Sequence, residues 1–175
     1  MRPAAFFDRD GVLIRTNIIN NKPYAIRKKE EFEIMPFAYE VLSSFKRAGY
    51  INIVVTNQPD VGNGLVERCF VDEINAKLKK KLPIDAVEVC YHKQSDGCEC
   101  RKPKIGMFQR AMQSFDIDLS SSIMVGDRPS DILAGHRAGC FTMFIDFGYN
   151  EPLTVQPDIK VYELALIKPE LSRRC

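Results

Sequence analysis

Short apolar runs and amphipathic stretches alternate along the chain. The runs cover residues 4–7, 51–56, 86–90, 122–125 and 142–145. They are rich in β-branched and aromatic residues and show no in/out alternation, the pattern of strands buried on both faces. Phe37, Val41, Leu42 and Phe45 fall on one helical face, closed by Gly49 at a C′ position. Val66, Phe70, Ile74 and Leu78 make a second stripe, and Met107, Phe108, Ala111, Met112 and Phe115 a third. Ile132, Leu133 and Ala138 before Gly139 suggest a shorter fourth, and residues 164–167 a last turn before Pro169. Strands and helices in alternation predict an α/β fold with a doubly wound parallel sheet and right-handed crossovers. Residues 14–36 carry no clear period and read as a loop or small hairpin. The tail after Gly148, with Pro152 and Pro157, reads as irregular.

Composition narrows the picture. The 175 residues fit one domain spanning 1–175, and a chain of that size buries roughly 70% of its unfolded surface, so it needs no disulfide framework. Lys and Arg number 25 against 23 Asp and Glu, and no excess of charge calls for nucleic acid or a membrane surface. Lys77, Lys79, Lys80 and Lys81 read as a solvated helix face. No apolar stretch approaches the ~18 residues of a membrane span. The apolar start gives way to charge at Asp8, unlike a signal peptide. The expectation is a cytoplasmic monomer, where the six cysteines are thiols or metal ligands rather than disulfides.

Ligands of a doubly wound sheet bind at the carboxyl ends of its strands, so the residues just past each run are a test for chemistry. The first run ends in Asp8-Arg9-Asp10-Gly11 and the second in Thr56-Asn57-Gln58. The third leads to Arg101-Lys102-Pro103, and the fourth ends in Gly126-Asp127-Arg128-Pro129-Ser130-Asp131. Two carboxylates one residue apart repel each other, which suits a bound cation or a reaction. Carboxylates, a hydroxyl with amides, and cations together fit phosphoryl transfer. Asp8 is read as the nucleophile that becomes an aspartyl-phosphate, and Asp10 as the acid/base. Thr56 hydrogen-bonds a phosphoryl oxygen, Lys102 neutralises the transferring group, and Asn57 adds a substrate-facing amide. Mg²⁺ prefers oxygen ligands; Asp8, Asp127, the backbone carbonyl of Asp10 and Asp131 are its candidate ligands.

A second metal site is legible downstream. Cys90-x-His92 and Cys98-x-Cys100 supply four ligands within eleven residues, a Cys₃His set that zinc takes tetrahedrally as a closed, structural site. Such a loop positions Arg101 and Lys102, which come directly after it. His136 reads as a surface residue, and Cys69, Cys140 and Cys175 as ordinary thiols.

The first set resembles the haloacid dehalogenase (HAD) superfamily of Mg²⁺ phosphatases. Its four motifs match Asp8-x-Asp10-Gly11, Thr56, Lys102 and Gly126-Asp127-x-x-x-Asp131, over about residues 4–147. The resemblance implies a HAD-like Rossmannoid fold, here capless, because residues 14–36 are too few for a cap domain. Joined to the zinc loop, the pattern is similar to the D-glycero-D-manno-heptose 1,7-bisphosphate 7-phosphatases and the histidinol-phosphate phosphatases. That likeness implies substrate-binding roles for Arg101 and Arg128, and makes Tyr24 the counterpart of a loop tyrosine. The chain departs from the subfamily where Pro59-Asp60 replaces a common Ser-Gly and Asn63 a frequent Arg.

The expected function is therefore hydrolysis of a phosphomonoester on a small sugar bisphosphate, the substrate class best suited to Arg101 and Arg128. Histidinol phosphate is the alternative, and a nucleic-acid 3′-phosphatase a further one that an open site permits. A zinc-stapled nucleic-acid-binding module is disfavoured by the near-neutral charge and the lack of interleaved aromatic and basic residues.

Overall fold

The computed structural model describes residues 1–173. Eight strands and five helices succeed one another as β1 (Ala4–Phe7), β2 (Asn17–Ile19), β3 (Lys22–Tyr24), α1 (Ala38–Arg47), β4 (Ile51–Asn57), α2 (Pro59–Gly62), α3 (Arg68–Lys81), β5 (Ala86–Cys90), α4 (Gly106–Ser114), β6 (Ile123–Gly126), α5 (Pro129–Ala138), β7 (Phe141–Ile145) and β8 (Ile159–Val161). Six strands form one sheet in the order β5-β4-β1-β6-β7-β8, every neighbouring pair parallel. The chain runs outward from β1 to β4 and β5, then crosses back to β6 on the other side. That reversal opens a crevice beside the end of β1, the usual place for a ligand in such sheets.

Alternate residues of each strand face opposite layers. Ala5, Phe7, Val54 and Val125 pack under Leu42 and Phe45 of α1 and Ile74 and Leu78 of α3. Ala4, Phe6, Ile53 and Met124 pack under Met107, Phe108 and Ala111 of α4 and Ala134 of α5. The expected doubly wound sheet and its five runs are all present, and no helix of the described residues is long and apolar enough to cross a membrane.

The differences lie at helix edges and in short pieces. Phe37 is not on the buried face of α1: it precedes the helix with a positive φ of 65° and is 56% exposed. On α3 the buried face is Val71, Ile74, Asn75 and Leu78, while Val66 lies before the helix. Strict i, i+4 spacing drifts by about 40° per step at 3.6 residues per turn, so a long stripe cannot stay on one face. Met112 is on the exposed side of α4. Residues 14–36 do form a small hairpin, β2 paired with β3. The tail contains one strand, β8, too short to announce itself and paired with β7. Lys79, Lys80 and Lys81 are solvated as expected, His136 and Cys69 are exposed and Cys140 is buried; Cys175 lies outside the described residues.

Candidate active site

The floor of the site is built from strand ends. Asp8 leaves β1 with its N–H donating to the carbonyl of Val125 on β6 (2.9 Å), so Asp8 and Asp127 emerge side by side. Gly11 makes the close approach possible. Its φ is +95°, and a Cβ there would lie 2.1 Å from Oδ2 of Asp127, a position only glycine occupies without strain. Gly126 is equally constrained, since a Cβ would lie 2.2 Å from Cβ of Asp131. Ligand oxygens of Asp8, Asp127 and Asp131 all lie within 4.8 Å of one another, and all three residues are buried.

Lys102 ties this cluster together. Its Nζ donates to Oδ1 of Asp8 (2.6 Å) and the carbonyl of Val55 (2.7 Å) and pairs with Oδ1 of Asp131 (2.7 Å). Burial opposes its charge, but Asp131 and Asp8 hold it above a lysine's ordinary value. Asn57 brackets the Lys102 backbone, donating to its carbonyl (3.1 Å) and accepting from its N–H (3.0 Å). Asn57 thereby positions Lys102, and it also lines the cleft. Asp131 also accepts the Arg128 N–H (3.0 Å), capping α5.

The cluster fits a divalent cation. Burial pushes the Asp8 carboxyl up to about 7, Lys102 lowering it and Asp131 and Asp10 raising it. Burial and then the charge of Asp8 hold Asp127 well above the carboxylate range. Both Asp127 oxygens are buried without a hydrogen-bond partner, a state that costs several kcal/mol unless the charge is compensated. Three hard oxygen donors around an uncompensated carboxylate are the donor set Mg²⁺ prefers.

Asp10 faces a different set of partners. Nε and Nη2 of Arg9 donate to its two oxygens (both 3.0 Å), and Nε2 of Gln58 to Oδ2 (2.6 Å). Gln58 also donates to the Thr56 hydroxyl (2.8 Å), which donates on to Asp10 (3.5 Å). Arg9 is 1% exposed, and its Nη1 donates to Oδ1 of Asn75 on α3 (2.9 Å). Sequence reasoning misses Arg9, Gln58 and Asn75. Gln58 stands two residues from Thr56 at the same strand end, a usable signal, but nothing in the sequence places Asn75 next to Arg9.

The second cluster is equally well formed. Sγ of Cys90 and Cys98 are 3.6 Å apart, as are Sγ of Cys98 and Cys100. Nδ1 of His92 is 3.3 Å from Cys100 and 3.7 Å from Cys90. Ligand bonds of about 2.0–2.3 Å to a tetrahedral zinc give edges of about 3.5–3.8 Å, so the four atoms fit that ion. Burial, foremost among its causes, raises the Cys90 thiol to about 12 in the metal-free chain. The loop is wedged between two glycines: a Cβ on Gly62 would lie 2.5 Å from the Lys93 nitrogen, and one on Gly106 2.5 Å from the Glu99 carbonyl.

A cleft of about 730 Å³ opens above Asp8, Asp10 and Lys102. Its rim is made of the β2–β3 hairpin, the α2 segment and the tail. Arg27 Nε reaches Oδ2 of Asp60 (2.7 Å), and Asn21 donates to the Gly148 carbonyl (2.8 Å). Tyr24, 42% exposed, lines the rim. Arg101 lines the cleft too, and its buried Nη1 has no partner. Arg128 is not free: its Nε donates to Oε2 of Glu151 (3.0 Å) and its Nη2 to Oε1. Glu151 and Tyr149 lie in the tail, where no sequence pattern points to them. Burial, then the charge of Asp127 beside it, holds the Tyr149 phenol above its ordinary value.

Comparison with known proteins gives a consistent result. The HAD-hydrolase-like family matches residues 99–165. The D-glycero-alpha-D-manno-heptose-1,7-bisphosphate 7-phosphatase of Campylobacter jejuni is 37% identical over 147 residues, 81% of each chain. The corresponding beta-anomer enzyme of Vibrio cholerae is 30% identical over 167 residues, 89% of this chain and 86% of its own. The crystal structure of the D,D-heptose 1,7-bisphosphate phosphatase of B. bronchiseptica, complexed with magnesium and phosphate, superposes with a TM-score of 0.79. It covers 99% of both chains at 24% identity, which speaks to the fold.

Proposed function

This chain belongs to the heptose-1,7-bisphosphate 7-phosphatases among the HAD-like hydrolases, and on that premise we propose that it is a Mg²⁺-dependent phosphatase acting on a heptose bisphosphate. The observation that carries the chemistry is the buried Asp8–Asp127–Asp131 cluster, with both Asp127 oxygens unpartnered and Lys102 closing it. When bound by Asp8, Asp127 and the Asp10 carbonyl, with Asp131 beside them, Mg²⁺ offsets the charge of carboxylate and phosphate.

The steps belong to the chain's own side chains. One Asp8 oxygen is fixed by Lys102; the other attacks phosphorus and forms an aspartyl-phosphate as the bond to the leaving oxygen breaks. Asp10 protonates that oxygen, then takes a proton from the water that hydrolyses the acyl phosphate, which frees phosphate and restores Asp8. Thr56 and Lys102 stabilise the phosphoryl oxygens. Arg9 and Gln58 hold the Asp10 carboxyl in place. Arg101, Arg128 and Tyr24 line the space for the rest of the substrate. Zn²⁺ is the ion we assign to Cys90, His92, Cys98 and Cys100, and a Cys₃His set kept as thiolates suits a reducing, cytoplasmic setting. We take the working unit to be a monomer.

The test is phosphate release with Mg²⁺ from both anomers of heptose 1,7-bisphosphate, from histidinol phosphate and from a 3′-phosphorylated oligonucleotide. The heptose bisphosphate is expected to be the fastest, and Asp8→Asn to reduce its rate by at least about 10³-fold. Faster turnover of histidinol phosphate or of the oligonucleotide would overturn the substrate, and an active Asp8→Asn variant the mechanism.

A further inference from the structure

The cleft has more cations than the reacting phosphate uses, and they are not equally available. Arg27 is occupied by Asp60. Arg101 presents a buried Nη1 with no partner. Arg128 sits at the start of α5, beside the metal-binding carboxylates, with its guanidinium gripped at two nitrogens by Glu151. Its side chain is 42% exposed and that of Glu151 20%, so solvent and ligand can both reach the pair.

Glu151 is not a stray surface acid. The Glu151 N–H donates to the Tyr149 carbonyl (2.8 Å), and the neighbouring Asn150 N–H to the Asn21 carbonyl at the hairpin tip (3.3 Å). The tail therefore presents the Glu151 carboxylate to the cleft as part of a small braced loop. Arg128 cannot offer Nε and Nη2 to a substrate anion while a carboxylate holds both in the same fork geometry.

We infer that Glu151 is a specificity-determining residue, a carboxylate that competes with the remote anionic group of the substrate for Arg128. This rests on the reading of the cleft as a phosphatase site for a doubly anionic substrate. A dianionic phosphate is the better partner of a guanidinium, so it displaces Glu151, whereas a neutral leaving group leaves the Arg128–Glu151 pair closed. Arg101 lines the same cleft, its Nη1 has no partner in the protein, and it serves as the first anchor. Glu151 thus sets how much of the binding of a second phosphate is realised, without touching the reacting atoms.

The experiment is a double-mutant cycle of Glu151→Gln and Arg128→Ala in the Mg²⁺- and Zn²⁺-loaded protein. Two readouts are taken: KM and kcat for a heptose bisphosphate and for p-nitrophenyl phosphate, and the inhibition constant of fructose 1,6-bisphosphate against p-nitrophenyl phosphate. Glu151→Gln is expected to lower KM for the bisphosphate and the inhibition constant about three- to tenfold, with the effect in KM rather than kcat. KM for p-nitrophenyl phosphate should not change with them. In the Arg128→Ala background the Glu151→Gln effect should vanish, as coupled neighbours require. Glu151→Asp, whose shorter side chain reaches less far, should fall between. A bisphosphate KM that rises or stays constant in Glu151→Gln overturns the competition, and so does an equal effect without Arg128. The inhibitor arm does not need the heptose substrate, so a wrong substrate and a wrong role for Glu151 give different results.

Discussion

The floor and the rim of the cleft obey different physics. On the floor, Asp8, Lys102, Asp127 and Asp131 are buried; Asp8 and Asp127 follow β1 and β6, whose register is fixed by the sheet, while Asp131 stands in the first turn of α5 and Lys102 in the loop before α4. Lys102 satisfies Asp8 and Asp131 at 2.6–2.7 Å, the Arg128 N–H adds a second contact to Asp131, and both Asp127 oxygens are left open. On the rim, Arg27–Asp60 and Arg128–Glu151 are half-exposed ion pairs between a hairpin, a short helix and the tail. Exposed pairs contribute little to stability, so the rim is free to vary while the floor is not. A fold of this kind keeps one reaction and changes what it acts on.

That contrast can be broken at four places, in falling order of effect. Gly11→Ala puts a methyl into Asp127 and forces a side chain into positive φ. It is expected to cost about 10²-fold or more in kcat/KM, the scale of an ångström's misplacement. Near-normal steady-state kinetics would mean that the floor yields where its packing implies rigidity. Replacing Cys98 and Cys100 by Ser should abolish zinc content and lower the melting temperature. It should also cost about tenfold in activity, because Arg101 and Lys102 come directly after the loop; equal activity with zinc absent would separate loop from floor.

The third test is pH. The Asp8 carboxyl rises from 3.8 to about 7 in the metal-free protein, chiefly by burial. A raised carboxyl favours the folded state fully below its unfolded value and loses that contribution as pH climbs towards the folded value. The metal-free chain should therefore lose stability from about pH 4 to about pH 7, and Mg²⁺ should restore it. The rise in melting temperature on adding Mg²⁺ is expected to be larger at about pH 8 than at about pH 5.5; the reverse order would contradict the carboxylate site. The smallest effect is at the rim. Arg27→Ala should change unfolding free energy by no more than about 1 kcal/mol, read by urea titration.

The same contrast explains what can be read from the residues alone. Asp8, Thr56, Lys102 and Asp127 lie at or beyond the ends of apolar runs, and a parallel sheet brings all its carboxyl ends to one edge. Local pattern is therefore enough to gather them. Cys90, His92, Cys98 and Cys100 lie within eleven residues, so spacing alone exposes them as a possible metal site. Arg9 is legible only as a charge between two aspartates. That it is buried depends on Asn75, 66 positions away, whose place on the inner face of α3 an apolar stripe does not reveal. Glu151 stays hidden for a related reason, since an irregular tail has no period from which to infer what it faces. Phe37 misleads because an apolar residue at the right spacing cannot announce a left-handed backbone.

The hydrogen bond between Lys102 and Asp8 joins residues 94 positions apart, and Asp127 comes later still. During synthesis Asp8 emerges early and waits, without Lys102 or its partner carboxylates, until most of the sheet exists. A half-made chain lacks both the burial that raises the Asp8 carboxyl and the lysine that opposes it. The Asp8–Asp127–Asp131 cluster is complete only once β6 has joined β1 and α5 has begun, so the first half of the chain cannot form it alone.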